Sequence, residues 1–128
     1  MLEIRSINKT FNSGTPNELH ALQNVSLTVN DGLFVIIIGT NGSGKSTLLN
    51  AVAGSFYVDS GMIFLGGADV TRWPEHRRGK FIGRVFQNPF TGTAANMSIA
   101  ENLALAAHRG KPRRLDWLLR HNLIRQFR

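Results

Sequence analysis

Hydrophobic positions change period several times along this chain, and each change marks an element. Leu2, Ile4 and Ile7 recur among polar residues, so Leu2–Asn8 reads as a half-buried strand. Asn12-Ser-Gly14-Thr-Pro16-Asn is dense in turn residues and reads as an exposed loop. Val25, Leu27 and Val29 alternate with Ser26 and Thr28, which predicts a second strand, closed by the tight turn Asn30-Asp31-Gly32. Leu33-Phe-Val-Ile-Ile-Ile38 is an unbroken, β-branched apolar run, the pattern of a strand buried on both faces in a covered parallel sheet. A glycine-rich loop follows, and a helix is expected from near Lys45 through Leu48, Leu49, Val52 and Ala53 to a stop at Gly54.

Beyond that helix, Ser60-Gly61 leads into a strand at Met62–Leu65, and Gly66-Gly67 turns it. Pro74 can open a short helix. Phe81–Phe86 reads as a strand ending at Gln87, where Asn88-Pro89 breaks the pattern. Ser98-Ile-Ala-Glu101 fits a capping box for a helix from Ile99 to about His108. Arg109-Gly-Lys-Pro112 reads as a linker, and Leu115, Leu118, Leu119 and Leu123 recur at helical spacing in a last, basic helix. No repeat or low-complexity segment is apparent.

The 128 residues suffice for one modest domain, and 42% apolar residues place it in the globular range. With no cysteine there is neither a disulfide framework nor a thiolate metal site, and the redox compartment stays open. The apolar run Leu33–Ile38 is far shorter than the roughly 20 residues that span a bilayer. Met1-Leu-Glu-Ile-Arg carries no signal segment, so a soluble, cytoplasmic chain is expected. The net charge of +7 is uneven: residues 1–71 hold three Lys/Arg and five Asp/Glu, residues 72–128 twelve and three. A nucleic-acid or anionic-membrane surface is one reading of the basic part. A solvated helical face is the other, favoured because no aromatic platform interleaves the charges.

The pattern G-x-x-x-x-G-K-[ST] is met by Gly39, Gly44, Lys45 and Ser46 within Gly39-Thr40-Asn41-Gly42-Ser43-Gly44-Lys45-Ser46-Thr47. Glycines let the backbone wrap an anion closely, successive N–H groups form a nest, and the helix that follows aims its positive end at the same point. Lys45 supplies a compact cation for the outer phosphates, Ser46 a hard oxygen suited to Mg²⁺, and Thr47 a hydroxyl for an inner phosphate. Average composition yields these four positions by chance in roughly one chain in a few hundred of this length. Gly42-Ser-Gly44-Lys-Ser-Thr47 lacks the third glycine of a dinucleotide fingerprint. ATP with Mg²⁺ is the expected ligand.

Around this loop the chain resembles the nucleotide-binding subunit of ABC transporters. Thr40–Asn50 is similar to that family's Walker A segment, Val25–Val29 with Asp31-Gly32 to the antiparallel strands before it, and Asp59-Ser-Gly-Met-Ile to the lead into a later strand. Arg84-Val-Phe-Gln87-Asn-Pro resembles the Q-loop, and Met97-Ser-Ile-Ala-Glu-Asn-Leu the start of the helical subdomain. Phe11-Asn-Ser-Gly-Thr-Pro-Asn-Glu and Trp73-Pro-Glu-His-Arg-Arg look most like tryptophan/tyrosine importer ATPases. The implied fold is α/β: a P-loop NTPase (RecA-like) core with an N-terminal antiparallel β subdomain over residues 1–87, and the start of an α-helical subdomain over 88–128, truncated.

The resemblance also implies roles. Phe11 would stack on adenine, and Gln87 would join the Mg²⁺ and γ-phosphate shell beside Ser46. Partners would be membrane permease subunits facing segment 88–128, a second ATP-binding subunit and, indirectly, a solute-binding protein, at the inner face of the cell membrane. No nucleic acid is expected. The family's signature loop, Walker B strand, D-loop and switch histidine do not occur in the chain, and His20, His76, His108 and His121 have no metal-ligand spacing. No residue can therefore be assigned as the general base. The expectation is an importer ATP-binding subunit given as a fragment, which grips Mg-ATP without turning it over. A soluble ABC-type ATPase acting on nucleic acid and an inactive truncated product are the alternatives.

Overall fold

The structure is a computed structural model that describes residues 1–108. Compactness divides the chain into two units, Met1–Phe81 and Ile82–Arg128. The first unit is built on a four-stranded antiparallel sheet of order β2-β1-β3-β4: β1 (Leu2–Phe11), β2 (Leu19–Val29), β3 (Ser60–Leu65) and β4 (Ala68–Asp69). Between β2 and β3 runs α1 (Lys45–Ala53), and α2 (Glu75–Arg78) follows the sheet.

Strict alternation along β1 would put Ile7 on the face opposite Ile4. Both are nevertheless buried in the core, with Ile63, Leu22 and Val70. A bulge reconciles the two. Three steps of β1, Ile4 to Ile7, face two steps of β2, Leu27 to Val25, and the register with β3 slips in the same stretch. Ser6, inside the bulge, has φ +47°. Side chains replace the interrupted ladder: the Ser6 N–H donates to Ser26 Oγ at 2.9 Å, and Asn8 Nδ2 donates to Ser6 O at 3.0 Å and Ser60 Oγ at 2.9 Å. The bulge presses on β3 at Gly61, whose φ is +90° and where a Cβ would lie 2.5 Å from Ser6 O.

Several local expectations hold. α1 begins at Lys45 and stops at Gly54, which closes it at φ +85°. Gly66-Gly67 turns β3 into β4, and Pro74 caps α2. In the second unit, Asn88 caps a 3₁₀ turn at Pro89–Gly92. The helix that follows, α3 (Ile99–Ala107), carries the full capping box of Ser98 and Glu101. Asn102 ties the approach to α3 by donating to the carbonyls of Ala94, Met97 and Ser98 and accepting from the Ala94 N–H.

Two expected strands are absent. Leu33–Ile38 pairs with no strand among the described residues and is exposed, Phe34 and Ile38 each to 89%. An apolar run marks where a chain would be buried, but a strand also needs neighbours to take its N–H and C=O groups. Phe81–Phe86 likewise forms no strand among the described residues. Phe81 ends the first unit with its ring 6.1 Å from that of Trp73, while Val85 is almost fully exposed. The last helix predicted at Leu115–Leu123, and the linker before it, lie outside the described residues.

Gly61→Ala should cost about 3 kcal/mol in equilibrium urea unfolding, because both its φ and the Ser6 carbonyl reject a Cβ. Gly14→Ala, at φ +76° with open space around it, should cost only about 1 kcal/mol.

Candidate functional site

The glycine-rich loop is seated on β2. Gly44, at φ +85°, is the residue before α1, and a Cβ there would stand 2.7 Å from Ala21 O and 3.6 Å from Leu22 Cδ2. Leu22 is buried beneath it. The helix therefore starts where β2 dictates, and only a glycine allows backbone to approach backbone so closely. Gly39 is equally confined, since a Cβ would fall 2.6 Å from Ser43 Oγ.

The start of α1 is left open. Its N-cap glycine offers no side-chain acceptor, and its first turn holds no acidic residue. The amides of Lys45, Ser46 and Thr47 begin the helix and have no acceptor within it. The contrast with α3 is direct: there Ser98 accepts from the Glu101 N–H, and Glu101 Oε2 accepts from the Ser98 N–H at 2.8 Å. These bonds to Ser98 hold the Glu101 carboxyl below its ordinary range. α1 instead begins with a cation, Lys45. Lys45 Nζ donates to Gly39 O at 2.7 Å and Thr40 O at 2.6 Å, which curls its ammonium back over the loop. Open amides, a helix dipole and an ammonium converging on one slot suit a multiply charged anion.

The slot opens into a groove of about 770 Å³ lined by Leu19–Gln23, Val25 and Ile37–Leu48, Thr40 excepted. Asn41, Gly42, Ser43, Ser46 and Thr47 thus share its wall with Gly39, Gly44 and Lys45. Ser46 is exposed, so its hydroxyl is available to a cation bridging to a bound anion. No cluster of three or more His, Asp or Glu fit to hold a metal occurs among the described residues. A cation here would rest on Ser46, the anion and water.

His20, weighed from sequence only as a metal ligand and set aside, also lines this groove. Its Nδ1 lies 3.0 Å from Thr10 Oγ1 and its Nε2 3.0 Å from Glu18 Oε1. Nothing in a lone histidine beside a turn-rich loop marked it.

Phe11 is not part of the groove wall. It sits at the end of β1, opposite groove-lining Leu19, and packs edge-to-face against Phe56 with centroids 5.2 Å apart. Lys9 Nζ lies 5.5 Å and 5.6 Å from these two rings. The lysine is fixed by Asp59, whose carboxylate accepts from Lys9 Nζ and from the Thr10 N–H, each at 2.7 Å. Gln87 is exposed and belongs to the second unit, whereas the loop belongs to the first.

A buried-seat loop, an open helix start and a lysine at its head define a P-loop nucleotide-binding domain. Comparison with known proteins gives the family. The ABC transporter family pattern matches residues 22–128, and the chain belongs to that family. A tyrosine transport ATP-binding protein of Clostridioides difficile is 43% identical over 123 residues, covering 94% of this chain and 48% of that one. A spermidine/putrescine import ATP-binding protein of Haemophilus influenzae is 39% identical over 104 residues, 81% of this chain and 26% of that protein. Among solved structures, a dimeric ATP-binding cassette in a post-hydrolysis state with ADP and Pi superposes with a TM-score of 0.76 at 25% identity, covering 98% of this chain and 53% of that one. A nucleotide-free cassette from an ABC transporter gives 0.73 at 29% identity, covering 98% and 50%. The chain spans about half the length of the first of these relatives. No helix among the described residues is long and apolar enough to cross a membrane.

Gly44→Ala should unseat the loop and weaken anion binding on the order of tenfold or more, measured by calorimetry with tripolyphosphate, since its Cβ would overlap the Ala21 carbonyl. Lys9 and the Thr10 amide hold the Asp59 carboxyl below its ordinary value of 3.8. Stability from a depressed carboxylate is complete above that ordinary value and is lost as pH falls through the folded-state value. Asp59→Asn should therefore melt lower than the wild type at neutral pH, and the two melting curves should converge as pH drops below 3.8.

Proposed function

We propose that this chain is the phosphate-gripping part of an ABC importer's ATP-binding subunit, and that it binds Mg-ATP at Gly39–Thr47. The observation that carries the reading is the open, acid-free start of α1 with Lys45 poised over it. Such a helix start attracts an anion, and the groove offers room beyond the slot for the rest of a nucleotide. In this reading the loop amides and Lys45 take the β- and γ-phosphates, Thr47 an inner phosphate, and Ser46 the Mg²⁺. Mg²⁺ neutralises phosphate charge when bound.

Phe11 offers a ring at the end of β1 to the adenine, with Phe56 and Lys9 behind it. In the same reading Gln87 joins the Mg²⁺ and γ-phosphate shell. The transport names of the relatives support an import role, with the tyrosine transport protein suggesting an amino-acid solute. The working partners are then a membrane permease, a second ATP-binding subunit and, indirectly, a solute-binding protein, at the inner face of the membrane. We assign no residue of the chain as general base for an attacking water. The 128-residue chain is therefore read as binding nucleotide without turnover.

Fluorescent ATP binding to the wild type and to Lys45→Ala tests this. The variant should bind on the order of 10- to 100-fold more weakly, the worth of a charge-assisted contact. Equal affinities would sink the proposal. Ser46→Ala should keep metal-free ATP binding and lose the increment that Mg²⁺ adds.

A further inference from the structure

The other end of α1 is held by an arginine that the phosphate slot does not use. Arg78, in the charge run Glu75-His-Arg-Arg, is 1% exposed. Its Nη1 donates to Ala51 O at 2.7 Å and Val52 O at 3.0 Å, its Nη2 to Thr71 O at 3.0 Å and its Nε to Trp73 O at 2.9 Å. Backbone oxygens, not a carboxylate, take these N–H groups. Two of those oxygens belong to the last turn of α1, where carbonyls lack intrahelical partners and the dipole is negative. The site is shaped for this side chain: a Cβ on Gly54 would lie 2.8 Å from Arg78 Nε and 3.0 Å from its Cδ. Burial draws the Arg78 pKa below the usual arginine value, while Tyr57 and Asp69 oppose the shift.

α1 has nine residues. Helices shorter than roughly 12 residues do not persist without tertiary anchors. Its buried residues, Ala51 and Ala53, both lie in the C-terminal half, and Leu49 is exposed. Side-chain burial is thus concentrated at the end opposite the loop, and Arg78 joins that end to the chain at Thr71 and Trp73. A lysine could bring the charge but not a planar fork reaching several carbonyls at once.

We propose that Arg78 is a positioning residue for the phosphate slot: by clamping the last turn of α1 it fixes the whole helix, and so the direction in which the amides of Lys45–Thr47 point. This rests on the phosphate-binding reading above. Fraying from the Arg78 end would consume a helix with no turn to spare, and the anion site would fail although no phosphate contact had been touched.

The test compares wild type, R78Q and R78K in the 128-residue chain by calorimetry with tripolyphosphate and by segment-resolved amide hydrogen exchange. R78Q should bind tripolyphosphate on the order of tenfold more weakly, with R78K between it and the wild type. Amides of α1 should exchange faster in both variants while those of β1 and β3 keep wild-type protection. Wild-type affinity in R78Q would overturn the proposal. So would an equal loss of protection in α1 and the sheet, which would make Arg78 a general stabiliser. Should R78Q not fold, R78K carries the same comparison. If the wild type and Lys45→Ala bind tripolyphosphate equally, the phosphate reading fails. The exchange pattern then still decides whether Arg78 holds α1.

Discussion

The site depends on one close approach, that of the Gly44 backbone to the carbonyl of Ala21. It joins loop to sheet without any side chain and sets where α1 begins. Behind it, Leu22 is buried, and β2 is pinned to β1 by paired register and by two polar bridges, Ser6 N–H to Ser26 Oγ and Asn24 N–H to Asn8 Oδ1. Lys45 then needs no further guidance, because its position as the first helical residue already carries its ammonium over the loop.

Polar side chains do much of the joining in both units. Asn8 repairs the bulge in β1, Arg78 gathers carbonyls from two segments, and Asn102 closes the approach to α3. The apolar core of the first unit is small, centred on Ile4, Ile7, Ile63 and Val70. Hydrogen bonds contribute modestly each, but an unmet buried donor is costly, so such networks fix one arrangement more sharply than they add stability.

The elements legible from sequence were those whose signals are local. Gly54 after an apolar helix, Gly66-Gly67 between strands and Ser98 three residues before Glu101 each carry their own stereochemistry. The loop was legible for the same reason, since glycines, lysine and hydroxyl act at fixed spacing. What escaped depends on partners distant in the chain. Leu33–Ile38 has the composition of a buried strand but no neighbour to pair with among the described residues. Ile7 falls out of step with Ile4 until the bulge at Ser6 is known. Arg78 lies in a run that reads as solvated surface, and only the space at Gly54 reveals that it turns inward.

The two longer helices treat their N-terminal charge differently, and this bears on stability as well as binding. α3 carries its own counter-charge in Glu101, so its first turn is satisfied by the chain itself. α1 has no such counter-charge in its first turn. Any anion that occupies its slot only in the folded state adds RT ln(1 + [L]/Kd) to the folding free energy. Between scarcity and a hundredfold excess over Kd that increment reaches about 2.7 kcal/mol, a large fraction of the 5–15 kcal/mol typical of a domain. An anion held in that slot would therefore stabilise the fold as well as fill the site.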